Sequence, residues 1–198
     1  MADRQNRGNG ATGMVMIAFL VLMLLTLFFM PRQGMTAAWE GERNMMRALA
    51  SERFDEWILM EAGRLMDGSG DVATSAIESA QASGLGHMAA DRVYVAFLWL
   101  NLIVYRVMSL MLWTLVVAPF VLAASADGYY TREIRKDSFV AQSPIRHKMG
   151  AWMMQATTLA ITGWLFIPFA VPPVVAPGLL AALGAAIWLW IANLQKRI

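Results

Sequence analysis

The residue types that most often carry out chemistry in proteins are few in this sequence. None of its 198 residues is a cysteine, which excludes thiol nucleophiles, disulfides and cysteine-ligated metals. It contains no phosphate-binding glycine loop ending in lysine, no Gly-x-Ser-x-Gly and no His-Glu-x-x-His motif. The only histidines, His87 and His147, fall on opposite sides of the membrane in the topology derived below. We therefore expect no enzyme activity, no cofactor and no metal site.

Polar residues inside apolar runs are the remaining candidates for a specific role. Arg106 is the only charge within such a run, and at mid-bilayer it would cost about 2.5–3.5 kcal/mol. It can snorkel to the interface, pair with a partner subunit or line a transport path. Asn101 and Gln155 are predicted to form hydrogen bonds between helices, and Gln155 also lies within reach of lipid headgroups.

These residues must be positioned by membrane-spanning helices. The sequence is 58% apolar and 15% charged, whereas soluble domains carry about 25% charged residues. The first uncharged run, residues 13–30, has 18 residues and would extend about 27 Å as a helix. We interpret it as an uncleaved anchor following a tail at 1–12. The alternative is a signal peptide cut before Trp39, although this run exceeds the usual 7–15 residues of such a segment.

Three further spans are predicted. Residues 93–126 are too long for one simple span and too short for two, so we expect an interfacial helix continuing into a span at about 107–126, kinked at Pro119. Spans at 151–171 and 174–194 would form a hairpin around Pro172–Pro173, followed by a short tail at 195–198. The predicted fold class is all-α, a polytopic membrane protein with four transmembrane helices.

The basic residues predict the orientation. Residues 32–92 carry six basic and ten acidic side chains, whereas residues 127–150 carry five basic and three acidic ones. Because basic loops stay in the cytoplasm, we expect a bacterial inner-membrane protein with both termini and the loop 127–150 cytoplasmic. Segment 31–92 is then extracytoplasmic.

The extracytoplasmic segment is predicted to be helical across 36–66, to break at Asp67–Gly70, and to continue as a shorter helix over 72–82. Its apolar stripe would pack within the protein or on the bilayer surface, or dock another subunit. The stripe consists of Met46, Leu49, Ala50, Phe54, Trp57, Ile58 and Leu65. The charges mostly face elsewhere, namely Glu40, Glu42, Arg43, Glu52, Arg53 and Glu56.

The cytoplasmic loop combines basic, aromatic and turn-forming residues. Arg132, Arg135 and Lys136 share a helix face. A role in fixing the topology, together with attraction to anionic lipid headgroups, would explain the basic residues. That attraction is worth about 1 kcal/mol for each basic residue near the surface. These two effects do not account for Asp127-Gly128 at the membrane boundary, for the aromatic residues, or for the Ser-Pro turn. The residues left unexplained are Asp127, Gly128, Tyr129, Tyr130, Phe139, Ser143 and Pro144.

This loop resembles that of membrane proteins encoded in conjugative transfer regions of integrating conjugative elements and large plasmids, including TraJ-type proteins. The matching positions are Asp127, Gly128, Arg132, Arg135, Ser138, Phe139, Ser143 and Pro144, and the layout of spans is similar. The resemblance implies a noncatalytic subunit that docks the type IV coupling protein, a hexameric inner-membrane ATPase, through these residues and Tyr130. It also implies several copies in a hetero-oligomer with other secretion subunits, and no direct contact with nucleic acid.

Two other functions compete with this one. One is a channel or transporter component, although a single peripheral arginine and no mid-bilayer acid make a poor solute path. The other is a regulatory membrane protein of a mobile element, such as one that excludes incoming plasmids.

Overall fold

The computed structural model describes residues 28–82, 86–137 and 144–194, together with residues 13, 17–21, 24 and 25. This described part is helical and contains no strand, which confirms the all-α fold class. The helices are α1 (Arg32–Leu49), α2 (Glu52–Leu65), α3 (Ser69–Ala82), α4 (Gly86–Asp137), α5 (Pro144–Phe166) and α6 (Val175–Ala192). The tails 1–12 and 195–198 lie outside the described residues.

Helix α4 is the axis of the molecule. Its 52 residues extend about 78 Å at the standard helical rise. Its N-terminal part packs against α1, α2 and α3, which the predicted topology would place outside the membrane and which we call the outer helices, and its C-terminal part packs against α6. The helix continues through Pro119 and past Asp127, so the first eleven residues of the predicted loop are helical.

The outer helices begin and end at identifiable breaks. The Pro31 carbonyl accepts hydrogen bonds from Gly34 and Met35 as α1 begins. The predicted helical stretch 36–66 is interrupted at Ala50, where α1 ends, and at Ser51, whose backbone is fully extended. The predicted break at 67–70 is present in part, because α2 ends at Leu65 and α3 begins at Ser69.

Only two of the seven residues of the predicted apolar stripe are buried. Met46 and Ile58 are buried, whereas four other members are exposed, namely Leu49, Phe54, Trp57 and Leu65. The prediction that Glu42 faces away from the core is wrong, because Glu42 is buried. The chain turns at Ala50, so α1 and α2 are separate helices. The helical spacing counted along α1 therefore does not continue into α2.

The last two helices form a hairpin. Backbone hydrogen bonds from Val175 to Pro172 and from Ala176 to Pro173 close the turn. Helix α6 packs closely on α5 at Gly150, where an added Cβ would lie 2.7 Å from the backbone nitrogen of Trp190. Such an approach tolerates no side chain, so Gly150 sets the distance between these helices.

Two of the described helices are long and apolar enough to cross a membrane. They are α4, over Met88–Asp137, and α6, over Val175–Ala192. Helix α5 is not among them, and Gln155 with several threonines makes it more polar than α6. The four-span arrangement therefore stays a prediction.

Candidate functional site

A buried charge cluster joins the outer helices to the hairpin. The Arg106 side chain is 0% exposed and donates Nε to Glu42 Oε1 at 2.8 Å and Nη2 to Glu42 Oε2 at 2.6 Å. Nη1 donates to the carbonyls of Trp164 at 2.7 Å and Ile167 at 2.5 Å. Nη2 also reaches the Phe169 carbonyl at 2.6 Å. All five donor hydrogens of the guanidinium can thus be satisfied.

The cluster connects three separate parts of the chain. Glu42 lies on α1, Arg106 on α4, and the accepting carbonyls at the C-terminal end of α5 and the turn that follows it. A cation is favoured there, because the last carbonyls of a helix have no partner within the helix and carry the negative end of its dipole. The Val171 amide donates to Glu42 at 3.4 Å, and Trp99 donates to the Phe166 carbonyl at 2.9 Å.

The sequence left three roles open for Arg106, and the structure shows a fourth, an ion pair within the same chain. Arg106 does not snorkel and needs no partner subunit, because it pairs with a carboxylate 64 residues earlier in the same chain. A bidentate ion pair with further hydrogen bonds is the arrangement in which a buried charge is tolerated.

The position of Glu42 in the sequence already indicated that its side chain is buried. The buried residues of α1 are Met35, Ala38, Glu42 and Met46, spaced i, i+3, i+7 and i+11, so Glu42 stands in the apolar face itself. A buried acid in this register, together with a lone arginine in an apolar run, indicates an internal ion pair.

A second buried acid, Asp55, holds α1, α2 and α4 together. It accepts hydrogen bonds from Arg43 Nη2 at 3.0 Å, Arg47 Nε at 2.8 Å and the Tyr105 hydroxyl at 2.9 Å. Burial raises the pKa of the Asp55 carboxyl, but the hydrogen bonds from Arg43, Tyr105 and Arg47 outweigh burial, so this pKa lies below its ordinary value of 3.8. The carboxylate stays charged and fixes the angle between the outer helices.

The other two predicted intramembrane polar residues do not join helices. Asn101 donates Nδ2 to the Phe97 carbonyl of its own helix at 2.9 Å, so its predicted bond between helices is wrong. Gln155 is exposed on α5, beside a groove of about 640 Å³ that Gly13 and Trp152 also line.

The loop residues with a family likeness divide into packed and exposed groups. Asp127 Oδ2 accepts a hydrogen bond from Trp188 Nε1 at 2.7 Å. An added Cβ on Gly128 would lie 3.1 Å from the Trp188 carbonyl oxygen. Asp127 and Gly128 therefore hold α4 against α6.

Arg135 also contacts α6. Its Nη1 donates to the Ala192 carbonyl and to Asn193 Oδ1, both at 3.3 Å. This places a cation at the C-terminal end of α6, where the helix dipole favours it. Arg132 on the same helix is half-buried, and its Nε has no hydrogen-bond partner among the described residues.

The exposed group is aromatic and aliphatic. Tyr130 is 65% exposed, and Ile134, one helical turn later, is also exposed. The neighbouring Tyr129 ring packs edge-on against Tyr130 with ring centroids 5.9 Å apart. We call Tyr129, Tyr130 and Ile134 the α4 tip. Ser138, Phe139 and Ser143 lie outside the described residues, and Pro144 begins α5.

Histidine and acidic side chains do not converge on a metal site in the described part of the chain. No group of three or more potential ligands occurs there. His147 instead stacks on the Trp190 ring, with centroids 5.9 Å apart and an interplanar angle of 27°.

Comparison with protein families decides the assignment. Residues 42–195 match the model of the DtrJ-like family, described as IncC plasmid conjugative DNA transfer protein DtrJ-like. The chain belongs to this family. The match begins at Glu42, so it covers both Glu42 and Arg106 as well as all of residues 127–150. No curated protein and no solved structure matches the chain.

The assignment confirms the resemblance on which the sequence interpretation relied, namely to proteins of conjugative transfer regions. Family membership implies involvement in conjugative DNA transfer. A component of such a system works with other parts of the transfer machinery.

Proposed function

We propose that this chain is a noncatalytic subunit of the bacterial inner membrane in a conjugative type IV secretion system. In this proposal it spans the membrane four times and binds the hexameric coupling-protein ATPase, which it helps to recruit, assemble or stabilise. Family membership supports the role in transfer, and the exposed α4 tip carries the docking part of the proposal.

Membrane insertion is supported by the exposure of α4. In the most apolar window of Met88–Asp137, only 6% of the residues are buried inside the protein. Large side chains such as Met111, Leu115 and Phe120 are exposed along one stretch. An apolar band of this size is unfavourable in water and favourable in lipid.

The arrangement of helices fits cytoplasmic termini. Phe19 of the first apolar run lies 3.6 Å from the position of an added Cβ on Gly163, and Gly13 lies near Trp152 and Gln155. Gly13 and Phe19 therefore follow one another in the same direction as α5, from its middle toward its C-terminal end. With the basic end of α4 inside, the N-terminus is on the cytoplasmic side as well.

The α4 tip is the surface on which we expect the ATPase to dock. Aromatic side chains that are exposed in one protein and buried by its partner are the usual energetic centres of an interface. Arg135, Asp127 and Gly128 support this surface by holding α4 on α6, so we assign them an indirect role and Tyr130 a direct one.

The proposal is tested by purifying the tagged full-length chain from donor-cell membranes and measuring the ATPase that accompanies it. Tyr130→Ala should reduce recovery of the ATPase, because truncating a central interface tyrosine costs about 2 kcal/mol or more, roughly 30-fold in affinity. Transfer frequency should fall in parallel, while the amount of inserted chain stays unchanged.

Met88→Ala is the matched control. Met88 is 75% exposed, against 65% for Tyr130, but lies at the opposite end of α4, where no docking is expected. Wild-type chain that purifies without any ATPase would contradict the proposal. An equal loss with Tyr130→Ala and Met88→Ala would contradict the assigned surface. Ion conductance of the purified chain in liposomes would favour a channel component instead.

A further inference from the structure

Exposed polar residues form a line along α5, where this helix is expected to cross the membrane. Gln155, Thr158 and Thr162 are all exposed, and their spacing of three and four residues places them on one face of the helix. Thr157 and Trp164 are buried and face the rest of the chain. Polar side chains of a membrane helix usually face the interior of its bundle. Helix α5 instead turns its most polar face outward, which indicates that another helix covers this face.

This polar line has hydrogen-bonding capacity that the chain itself leaves unused. The Gln155 amide makes no hydrogen bond within the part of the chain that the structure describes. The Thr158 hydroxyl donates to the Met154 carbonyl at 2.9 Å, and the Thr162 hydroxyl donates to the Thr158 carbonyl at 3.0 Å. Each hydroxyl can still accept a hydrogen bond. Because lipid offers no hydrogen-bonding partner, a polar group of a neighbouring helix has to supply one.

The described residues of the first apolar run leave this line exposed. Phe19 lies 3.6 Å from the position of an added Cβ on Gly163, about a quarter turn around α5 from Gln155. Gly13 and α5 line a groove of about 640 Å³, in which Gln155 and Thr158 are exposed. A helix of another chain can therefore reach the polar line from the side of α5 that faces away from α6.

We propose that α5 pairs with α5 of a second copy of this chain, side by side in the membrane and related by a two-fold axis along the membrane normal. This inference rests on the proposed membrane insertion. Copies in one membrane have the same orientation, so Gln155 lies at the same depth in each. An amide both donates and accepts, so two Gln155 side chains can bond to each other, and each can donate to a Thr158 hydroxyl of the other copy.

The sequence around the line favours a second copy over other occupants. The contact positions follow one another at intervals of four, three and four residues, as in left-handed helix pairs, and most are small enough for close approach. They are Ala151, Gln155, Thr158 and Thr162. No charged residue lies between 151 and 166, so two copies do not repel there, and Lys148 reaches water at the cytoplasmic end. An apolar helix of a different protein would leave the Gln155 amide without a partner.

The absence of cysteine from the sequence makes this pairing testable by disulfide cross-linking of the full-length chain. Single cysteines are introduced on the proposed contact by Ala151→Cys, Thr158→Cys and Thr162→Cys. Ala160→Cys is the matched control, since Ala160 is exposed on another side of α5 at the same depth. Leu115→Cys, at a position that is 74% exposed on α4, reports membrane insertion. The chain is reconstituted in liposomes and oxidised with copper phenanthroline, and insertion is measured by reaction with a membrane-impermeant maleimide.

We expect disulfide-linked dimers with cysteine at 151, 158 or 162 and none with cysteine at 160, while the cysteine at 115 reacts with the maleimide only after the membrane is dissolved. With position 115 protected, failure of all three contact positions to cross-link, or equal cross-linking at 160, would overturn the pairing alone. A cysteine at 115 that reacts in intact liposomes would overturn the proposed membrane insertion. In donor-cell membranes, cross-linking of position 158 to a different protein instead of a second copy would overturn the assigned partner.

Replacing Gln155 with leucine tests whether its amide holds the two copies together. In the Thr158→Cys background, Gln155→Leu should raise the protein-to-lipid ratio needed for half-maximal cross-linking about 3- to 30-fold, the range that hydrogen bonds between membrane helices contribute. Met153→Leu changes an exposed residue on another side of α5 and should leave this ratio unchanged. An equal effect of the two substitutions would overturn the proposed bond between the Gln155 side chains.

Discussion

Replacing Arg106 with leucine is predicted to destabilise the chain strongly. The substitution removes a fully buried guanidinium and leaves the Glu42 carboxylate buried, with only the 3.4 Å contact from the Val171 amide. Removing one partner of a buried ion pair costs about 3–5 kcal/mol, because the remaining charge keeps its desolvation penalty and loses its compensation. We expect Glu42→Leu to cost a similar amount, for the same reason.

The double variant Glu42→Leu/Arg106→Leu distinguishes this account from simple loss of packing. It leaves no unpaired charge, although the carbonyls of Trp164, Ile167 and Phe169 lose their donor. Leaving a buried acceptor unsatisfied costs about 1–3 kcal/mol. The double variant should therefore be about as stable as either single variant, which corresponds to a coupling of about 3 kcal/mol or more.

The assay is reversible unfolding of the purified chain in mixed micelles, followed by circular dichroism of the helices. Arg53→Leu, an exposed position on α2, is the control and should change stability by no more than about 0.5 kcal/mol. Arg106→Lys should not rescue the fold, because an ammonium group has three donors where the guanidinium uses five. The reasoning is refuted if Arg106→Leu costs less than about 1 kcal/mol, or if the double variant loses the sum of the two single losses.

Three further predictions concern the rest of the structure. Because the folded-state pKa of Asp55 lies below its ordinary value of 3.8, its carboxylate contributes stability that is present above about pH 4 and lost as the pH falls through the lowered pKa. Acid unfolding of Asp55→Asn should therefore show a shallower loss of stability below pH 4 than the wild type, and identical slopes would contradict this. Gly150→Ala should destabilise the hairpin by about 1–3 kcal/mol, since its Cβ would lie 2.7 Å from the Trp190 backbone nitrogen. Gly178→Ala in α6, where no atom lies within 4 Å of the added Cβ, should be neutral or stabilising in the same unfolding assay, and equal losses at 150 and 178 would contradict the close approach. Arg135→Met should cost about 1 kcal/mol and raise hydrogen exchange at the C-terminal end of α6, whereas unchanged exchange there would mean that Arg135 does not hold that helix end.

The helical fold class and the long helix around 107–126 could be predicted because apolar runs and their periodicity report local structure. The break between α2 and α3 could be predicted from the cluster of small residues at 67–70, since such residues disfavour helix continuation. The turn at Ala50 and Ser51 has a weaker signal. Serine is a preferred N-cap residue, but Ser51 is a lone one with no glycine or proline beside it, and its side chain makes no capping hydrogen bond. That turn determines which residues of the apolar stripe are buried.

The buried ion pair of Glu42 and Arg106 could not be predicted as long as charged residues were expected to be exposed to solvent. Glu42 and Arg106 are 64 residues apart, and the stability of their contact depends on burial that only the assembled helices provide. Their register within apolar faces was the available signal. For the family-like loop, the residue types indicated a shared motif, but not that Arg135 and Asp127 would contact α6 while Tyr130 stays exposed.

We propose that this chain is a membrane subunit that binds the coupling ATPase directly. The most direct measurement is binding of the purified full-length ATPase to the chain reconstituted in nanodiscs, followed by size-exclusion chromatography coupled to light scattering. We predict a complex in which the ATPase elutes with chain-containing nanodiscs and not with empty ones, and from which Tyr130→Ala releases most of the ATPase. ATPase that elutes alone, with chain-containing nanodiscs unchanged in mass at ATPase concentrations of about 10 μM, which correspond to a binding free energy near −7 kcal/mol, would contradict the claim.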